Sequence, residues 1–239
     1  MIETFAALLF AHALADFILQ TAYIAQNKRR PLILLLHGAI VLATAQAATG
    51  QVDAWPLLAL ALAHIAIDAA KSAAGAAGLP AFLADQGAHL ASLAVVAWFW
   101  PGLFAGGVWA ETPALATAMA GAAGAILAIR AGGFAVGELM RAYQEAAPPE
   151  GLPSGGRMIG MLERAMIFLL VLVGQPEGVG FLIAAKSILR FDSASKNQHA
   201  SEYVIIGTLA SYGWAMFFSY ATLWLMAALP PLEIGAQLP

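Results

Sequence analysis

Residues 32–49 read LILLLHGAIVLATAQAAT, a run with no Asp, Glu, Lys or Arg. At 1.5 Å of rise per residue, an α-helix of this length covers about 27 Å, close to the ~30 Å hydrocarbon core of a bilayer. Lys28-Arg29-Arg30-Pro31 precedes the run and Gly50 closes it. Comparable apolar stretches fall at about 2–26, 55–74, 81–100, 113–141, 158–173, 178–191 and 203–229. The chain is 61% hydrophobic and 10% charged, against roughly 25% charged in a soluble domain. It has no residues to spare for a polar coat. The expected fold is all-α, a polytopic transmembrane helical bundle of about seven or eight membrane segments. Segment 113–141 is long and carries Arg130-Ala-Gly-Gly, a place for a break, and 178–191 is short enough to be tilted or re-entrant. The first segment has no basic leader and is interrupted by His12 and Asp16, so it reads as a retained span and not a signal peptide.

The loops set an orientation. Lys28, Arg29 and Arg30 follow the first segment, Arg141 and Arg157 flank the loop after the fifth, and Arg190 and Lys196 follow the seventh. The intervening loops carry Asp53, Glu111 and Glu177 without a Lys or Arg. By the positive-inside rule both termini lie outside a bacterial inner (cytoplasmic) membrane. The Pro/Gly-rich loop 144–157 (QEAAPPEGLPSGGR) is expected to be a cytoplasmic linker between helical groups 1–143 and 158–239. The absence of cysteine excludes thiolate metal sites, and the lack of a basic arm argues against nucleic acid.

Polar residues concentrate in the first four segments. His12-x-x-x-Asp16 is followed by Gln20; His37 lies in the second segment; His64-x-x-x-Asp68 is followed by Lys71; Asp85-Gln86 precedes His89. Residues four apart share a helix face, so an imidazole and a carboxylate at that spacing can converge on one cation. With the orientation above, these groups lie at one level, roughly 6–15 Å below the inner surface. Three unpaired intramembrane aspartates would cost on the order of 8–10 kcal/mol on the insertion scale, which a divalent cation would offset. The candidate metal ligands are therefore His12, Asp16, His64, Asp68 and His89, with His37 and Asp85 as further ligands or groups that orient them; zinc (or manganese) is the expected ion, and Asp85, as general base, and Lys71 are the candidate catalytic groups. A metal-free proton relay and plain interhelical hydrogen bonding are the alternatives.

A second polar group gathers Arg157, Glu163 and Arg164 with Lys186 and Arg190. These basic residues either snorkel to the interface and pair with glutamate, or form an anion pocket for a phosphate. His199, in a polar stretch, reads as solvated.

The runs AHALADFILQ (11–20), His37-Gly38, HIAIDAAK (64–71) and DQGAHL (85–90) resemble an uncharacterised bacterial membrane family, domain of unknown function 3307. The stretches GRMIGMLERAMIFLLVLVGQ (156–175), GFLIAAKSILRF (180–191) and ASEYVIIGTL (200–209) resemble its longer members, while about 100–155 is unmatched. The resemblance brings no established activity. Its HxxxD arrangement is similar to predicted membrane-bound metal-dependent hydrolases and, more distantly, to helical zinc phospholipases and nucleases, which use more histidines for a three-metal site.

Three readings follow. The first is a membrane-embedded metal-dependent hydrolase acting on a lipid or lipid-linked phosphate or ester at the cytoplasmic leaflet, with the substrate met by Lys186 and Arg190. The second is a metal-ion or proton-coupled transporter using the same His/Asp residues, for which Gly75, Gly78 and Pro80 offer a helix discontinuity. The third is a non-catalytic scaffold. No HExxH, GxSxG or Walker loop is present.

Overall fold

In the computed structural model, which describes residues 1–146, 152, 154–194 and 198–232 (backbone alone at 146 and 189–194), the chain is an all-α polytopic helical protein. Helix α1 (Ile2–Leu14) runs on through a π turn, Ala15–Leu19. Gln20 then leaves the helical region (φ −68°, ψ 101°), and the Thr21 hydroxyl caps a separate short helix, α2 (Ala22–Gln26), by accepting from the Ile24 amide at 3.3 Å. The expected single segment 2–26 is thus two elements. Helix α3 (Pro31–Thr49) opens on a proline and closes on left-handed Gly50 (φ 69°). Helices α4 (Trp55–Ala74) and α5 (Leu79–Phe99) follow.

Near Arg130, where the sequence offers a break, the helix stays continuous: a second π turn, Leu127–Ala131, joins α6 (Ala114–Ile126) to α7 (Gly132–Met140). A 3₁₀ turn covers Arg141–Ala146; residues 147–151 and 153 of the expected 144–157 linker lie outside the described residues, and its last three, Gly155–Arg157, already belong to the next helix. Helices α8 (Gly155–Leu172), α9 (Gly178–Ala194) and α10 (Gln198–Ala227) complete the chain.

Among the described residues, six helical stretches are long and apolar enough to cross a membrane: Ile2–Leu19, Pro31–Thr49, Trp55–Ala74, Leu79–Phe99, Ala114–Glu145 and Gln198–Ala227. The other two expected segments form helices of a different kind. Helix α8 carries Arg157, Glu163 and Arg164, and the apolar part of α9 spans only Gly178–Ile188.

The chain divides into two compact units, Met1–Ile126 with the chain from Thr222, and Leu127–Ala221. The division falls inside the long fifth segment and again near the end of α10. In the first unit α1 packs against α3, α5 and α6, and α4 packs against α3 and α5. Helix α1 can be surrounded because its buried surface is mostly small: Ala6, Ala7, Ala11, Ala13 and Ala15. Helices α3 and α4 touch at Gly38, where an added β-carbon would collide with the Ile65 side chain. That close approach sets His37, the preceding residue, against α4.

In the second unit, the π turn leaves carbonyl groups without intrahelical partners. Arg164 donates through Nε to the Ile129 carbonyl (3.0 Å) and through its guanidinium to Ser211 Oγ (3.0 Å), while Trp214 Nε1 donates to the Leu127 carbonyl (2.9 Å). Gly132, Gly133 and Gly160 leave room for the guanidinium and the indole. Arg164 is a buried structural cross-link.

Candidate metal centre

All seven His and Asp residues singled out in the first four segments are buried in the first unit: His12, Asp16, His37, His64, Asp68, Asp85 and His89. Their four imidazoles, from α1, α3, α4 and α5, form a continuous cluster. Ring centroids are 5.1 Å apart for His37–His64, 4.0 Å for His64–His89 and 5.3 Å for His12–His89.

Four atoms at its centre face one another. His37 Nε2 and His64 Nε2 are 3.1 Å apart, and each lies 3.3 Å from Asp16 Oδ1 and 3.5 Å from Asp68 Oδ2. A tetrahedral ion with ligands at 2.0–2.1 Å sets its ligand atoms about 3.3–3.4 Å apart. Each carboxylate oxygen therefore makes, with the two imidazole nitrogens, a triangle whose edges are close to those of a zinc-sized ion's ligand set. Asp16 Oδ1 is buried and makes no hydrogen bond, although a buried carboxylate oxygen normally finds a donor. An unmet acceptor between two imidazole nitrogens is what a cation would satisfy.

The corners are not equivalent. Lys28 Nζ donates to both oxygens of Asp68, at 2.8 and 2.7 Å, so the fourth corner is also claimed by an ammonium. The tight corners are His37, His64 and Asp16. Two further donor groups overlap the first: His12, Asp16 and His64, and Asp68, Asp85 and His89, each with ligand atoms within 4.8 Å.

The surrounding hydrogen bonds fix the ring tautomers. His89 Nδ1 is 2.9 Å from the Asp85 carbonyl, which can only accept, so Nδ1 carries the proton and Nε2 presents its lone pair, buried and without a partner. Gln86 donates through Nε2 to Asp85 Oδ2 (3.1 Å), which turns its Oε1 toward His12 Nε2 (3.3 Å). His12 therefore donates through Nε2 and its buried Nδ1, also partnerless, is the lone-pair nitrogen. Lys71 Nζ binds Asp85 Oδ2 at 2.8 Å, and Asp85 Oδ1 makes no hydrogen bond. Gln20, expected on the face of His12 and Asp16, lies beyond the π turn, its buried Oε1 unpartnered.

The residues of the second polar group behave differently. Arg164 is committed to Ile129 and Ser211, and Lys186 Nζ binds Glu163 Oε2 at 2.8 Å and lies 5.5 Å from the centre of the Tyr212 ring. This is the glutamate-pairing alternative for Lys186. Arg157 is exposed, as is His199, and the Arg190 side chain lies outside the described residues. Sequence reasoning left Lys28 out of the site. Its only sequence signal is its position in a basic turn, since Asp68 is forty residues away.

A family model described as a protein of unknown function (DUF3307) matches residues 4–107. That span contains every residue of the cluster and ends before the second polar group. No curated protein and no solved structure matches the chain.

Proposed function

We propose that this chain, which that family's model matches over residues 4–107, is a metal-dependent hydrolase embedded in the bacterial inner membrane, acting on a lipid or lipid-linked phosphate ester at the cytoplasmic leaflet. The observation that carries the reading is the inequality of the four corners. With Asp68 held by Lys28, the residues left to hold an ion would be Asp16, His37 and His64. Three protein ligands plus water is the pattern of a catalytic zinc, whereas four protein ligands make a closed site.

A divalent ion held there would supply a more acidic water and stabilisation of charge on a phosphoryl oxygen. The protein groups supply the rest. Asp68, oriented by Lys28, takes a proton from the water as its oxygen bonds to phosphorus. The ester bond to the alcohol breaks, and the departing alkoxide leaves with that proton. In this reading Asp68 is the general base, while Asp85 anchors Lys71 and, through Gln86, sets the His12 tautomer.

Metal content and turnover of a lipid phosphate ester, measured on the purified chain, test the reading. His64→Ala empties the site of zinc. Asp68→Asn keeps zinc and loses turnover by about 10²-fold or more. Wild type that hydrolyses the ester without bound metal would overturn it.

The burial of all four donors favours a second reading, transport of a divalent ion. If Lys28 moves away and Asp68 completes the tetrahedron, the ion is held without water. Loss of zinc from Asp68→Asn, together with zinc flux in proteoliposomes, would favour that reading over hydrolysis.

A further inference from the structure

Two lysines approach one face of the cluster. Lys28, in the turn before α3, reaches Asp68, and Lys71, in the last turn of α4, reaches Asp85. Asp68 and Asp85 belong to one donor group with His89, their ligand atoms within 4.8 Å, so the two ammonium groups converge on a common region. Arg29 ties this side together by donating through Nε to the Ser72 carbonyl at 3.3 Å. Lys71 is partly solvent-exposed, with 36% of its side-chain surface accessible, while its partner Asp85 is buried.

The charges decide what can enter. With the histidines neutral, as ligands must be, Asp16, Asp68 and Asp85 outnumber Lys28 and Lys71 by one negative charge. One divalent cation reverses this to one positive charge. A buried positive charge is unfavourable where the dielectric is low, and a neutral ester would leave it uncompensated. An anion brought by the substrate would balance it, and lysine binds phosphate as a mobile point charge with three donors. Lys28 can thus hold Asp68 and a phosphate oxygen together.

We propose that Lys28 and Lys71 form the phosphate clamp of this centre, so that its ligand is a phosphate ester and not a neutral one. The inference rests on the metal-dependent reading above and assigns the anion site to the first unit.

The test uses the full chain, zinc-loaded in detergent micelles, with calorimetric titration of inorganic phosphate in one arm and of phosphatidic acid in mixed micelles in the other. Zinc-loaded wild type binds phosphate, and the metal-free chain binds at least tenfold more weakly. Lys71→Met weakens binding about tenfold with zinc content unchanged, and Lys28→Met does the same in an Asp68→Asn background, where the freed side chain cannot take the ion's open position. Lys28→Arg and Lys71→Arg keep the charge and stay within about threefold of wild type, and they carry the test if the Met variants do not fold. Tighter binding in the lipid arm identifies a lipid headgroup, and equal binding identifies free phosphate; both support the clamp. Zinc-loaded wild type that binds neither ligand, or Met variants that bind as wild type does, overturns this inference and leaves the metal reading standing. A chain that holds no zinc overturns both.

Discussion

His37 Nε2 and His64 Nε2 lie 3.1 Å apart on different helices, both rings buried. One of these nitrogens can donate to the other, but two ring nitrogens directed at the same two carboxylates make a stronger joint ligand than a hydrogen-bonded pair. His37→Ala is therefore expected to reduce zinc affinity as much as His64→Ala does, by tenfold or more. The double variant should lose little beyond either single one, because the two act as a unit. Zinc titration of the purified variants decides this, and an unaffected His37→Ala protein would remove His37 from the ligand set.

Lys28 neutralises a buried carboxylate, so its loss is felt most when no metal is present. Breaking a buried ion pair by removing one partner costs about 3–5 kcal/mol. Lys28→Met should lower the thermal stability of the metal-free chain by an amount of that order, and added zinc should restore most of it. Equal destabilisation with and without zinc would mean that Lys28 does not share Asp68 with the ion.

Gly38 permits the α3–α4 contact beside His37, and Gly38→Leu would force the helices apart at the Ile65 side chain. Overpacking of this kind costs about 1–3 kcal/mol. It should also lower zinc affinity, although Gly38 has no ligand atom. A Gly38→Leu chain that is destabilised but binds zinc as wild type does would show that the donors are positioned without this contact.

Arg164→Leu tests the opposite expectation. It removes donors from the Ile129 carbonyl and Ser211, and a buried polar group left unsatisfied costs about 1–3 kcal/mol. Stability should fall while zinc content stays at the wild-type level. Loss of zinc from this variant would contradict the assignment of Arg164 as a structural cross-link.

The helices of the first unit were legible because each is a long apolar run with a plain stop, such as Gly50 after α3 and Gly75 after α4. The His/Asp pairs were legible because helical spacing of four is local. The rank of His37 was not, because it has no partner on its own helix and gains its place through a tertiary contact at Gly38. Lys28 was hidden for the same reason, and positive-inside logic gave its charge another explanation. The break after Leu19 was also missed, since AHALADFILQ reads as unbroken helix until the π turn is seen. In the second unit, local charge pattern alone did not distinguish an arginine directed at a ligand from one directed at backbone carbonyls.

The uneven corners also bear on which ion the cell would deliver. Magnesium is far more abundant than zinc in most compartments, but it demands six ligands in near-ideal octahedral array and favours oxygen. Neighbouring octahedral ligands at 2.0–2.1 Å sit about 2.8–3.0 Å apart, inside the 3.1–3.5 Å spacings between the two imidazoles and from each to the carboxylates, and two of the four donor atoms are nitrogen. Closing the gap would require α3 and α4 to approach further, and Gly38 already rests against Ile65. Helix packing in the first unit would then act as a sieve, with discrimination against magnesium built into the distance between two helices.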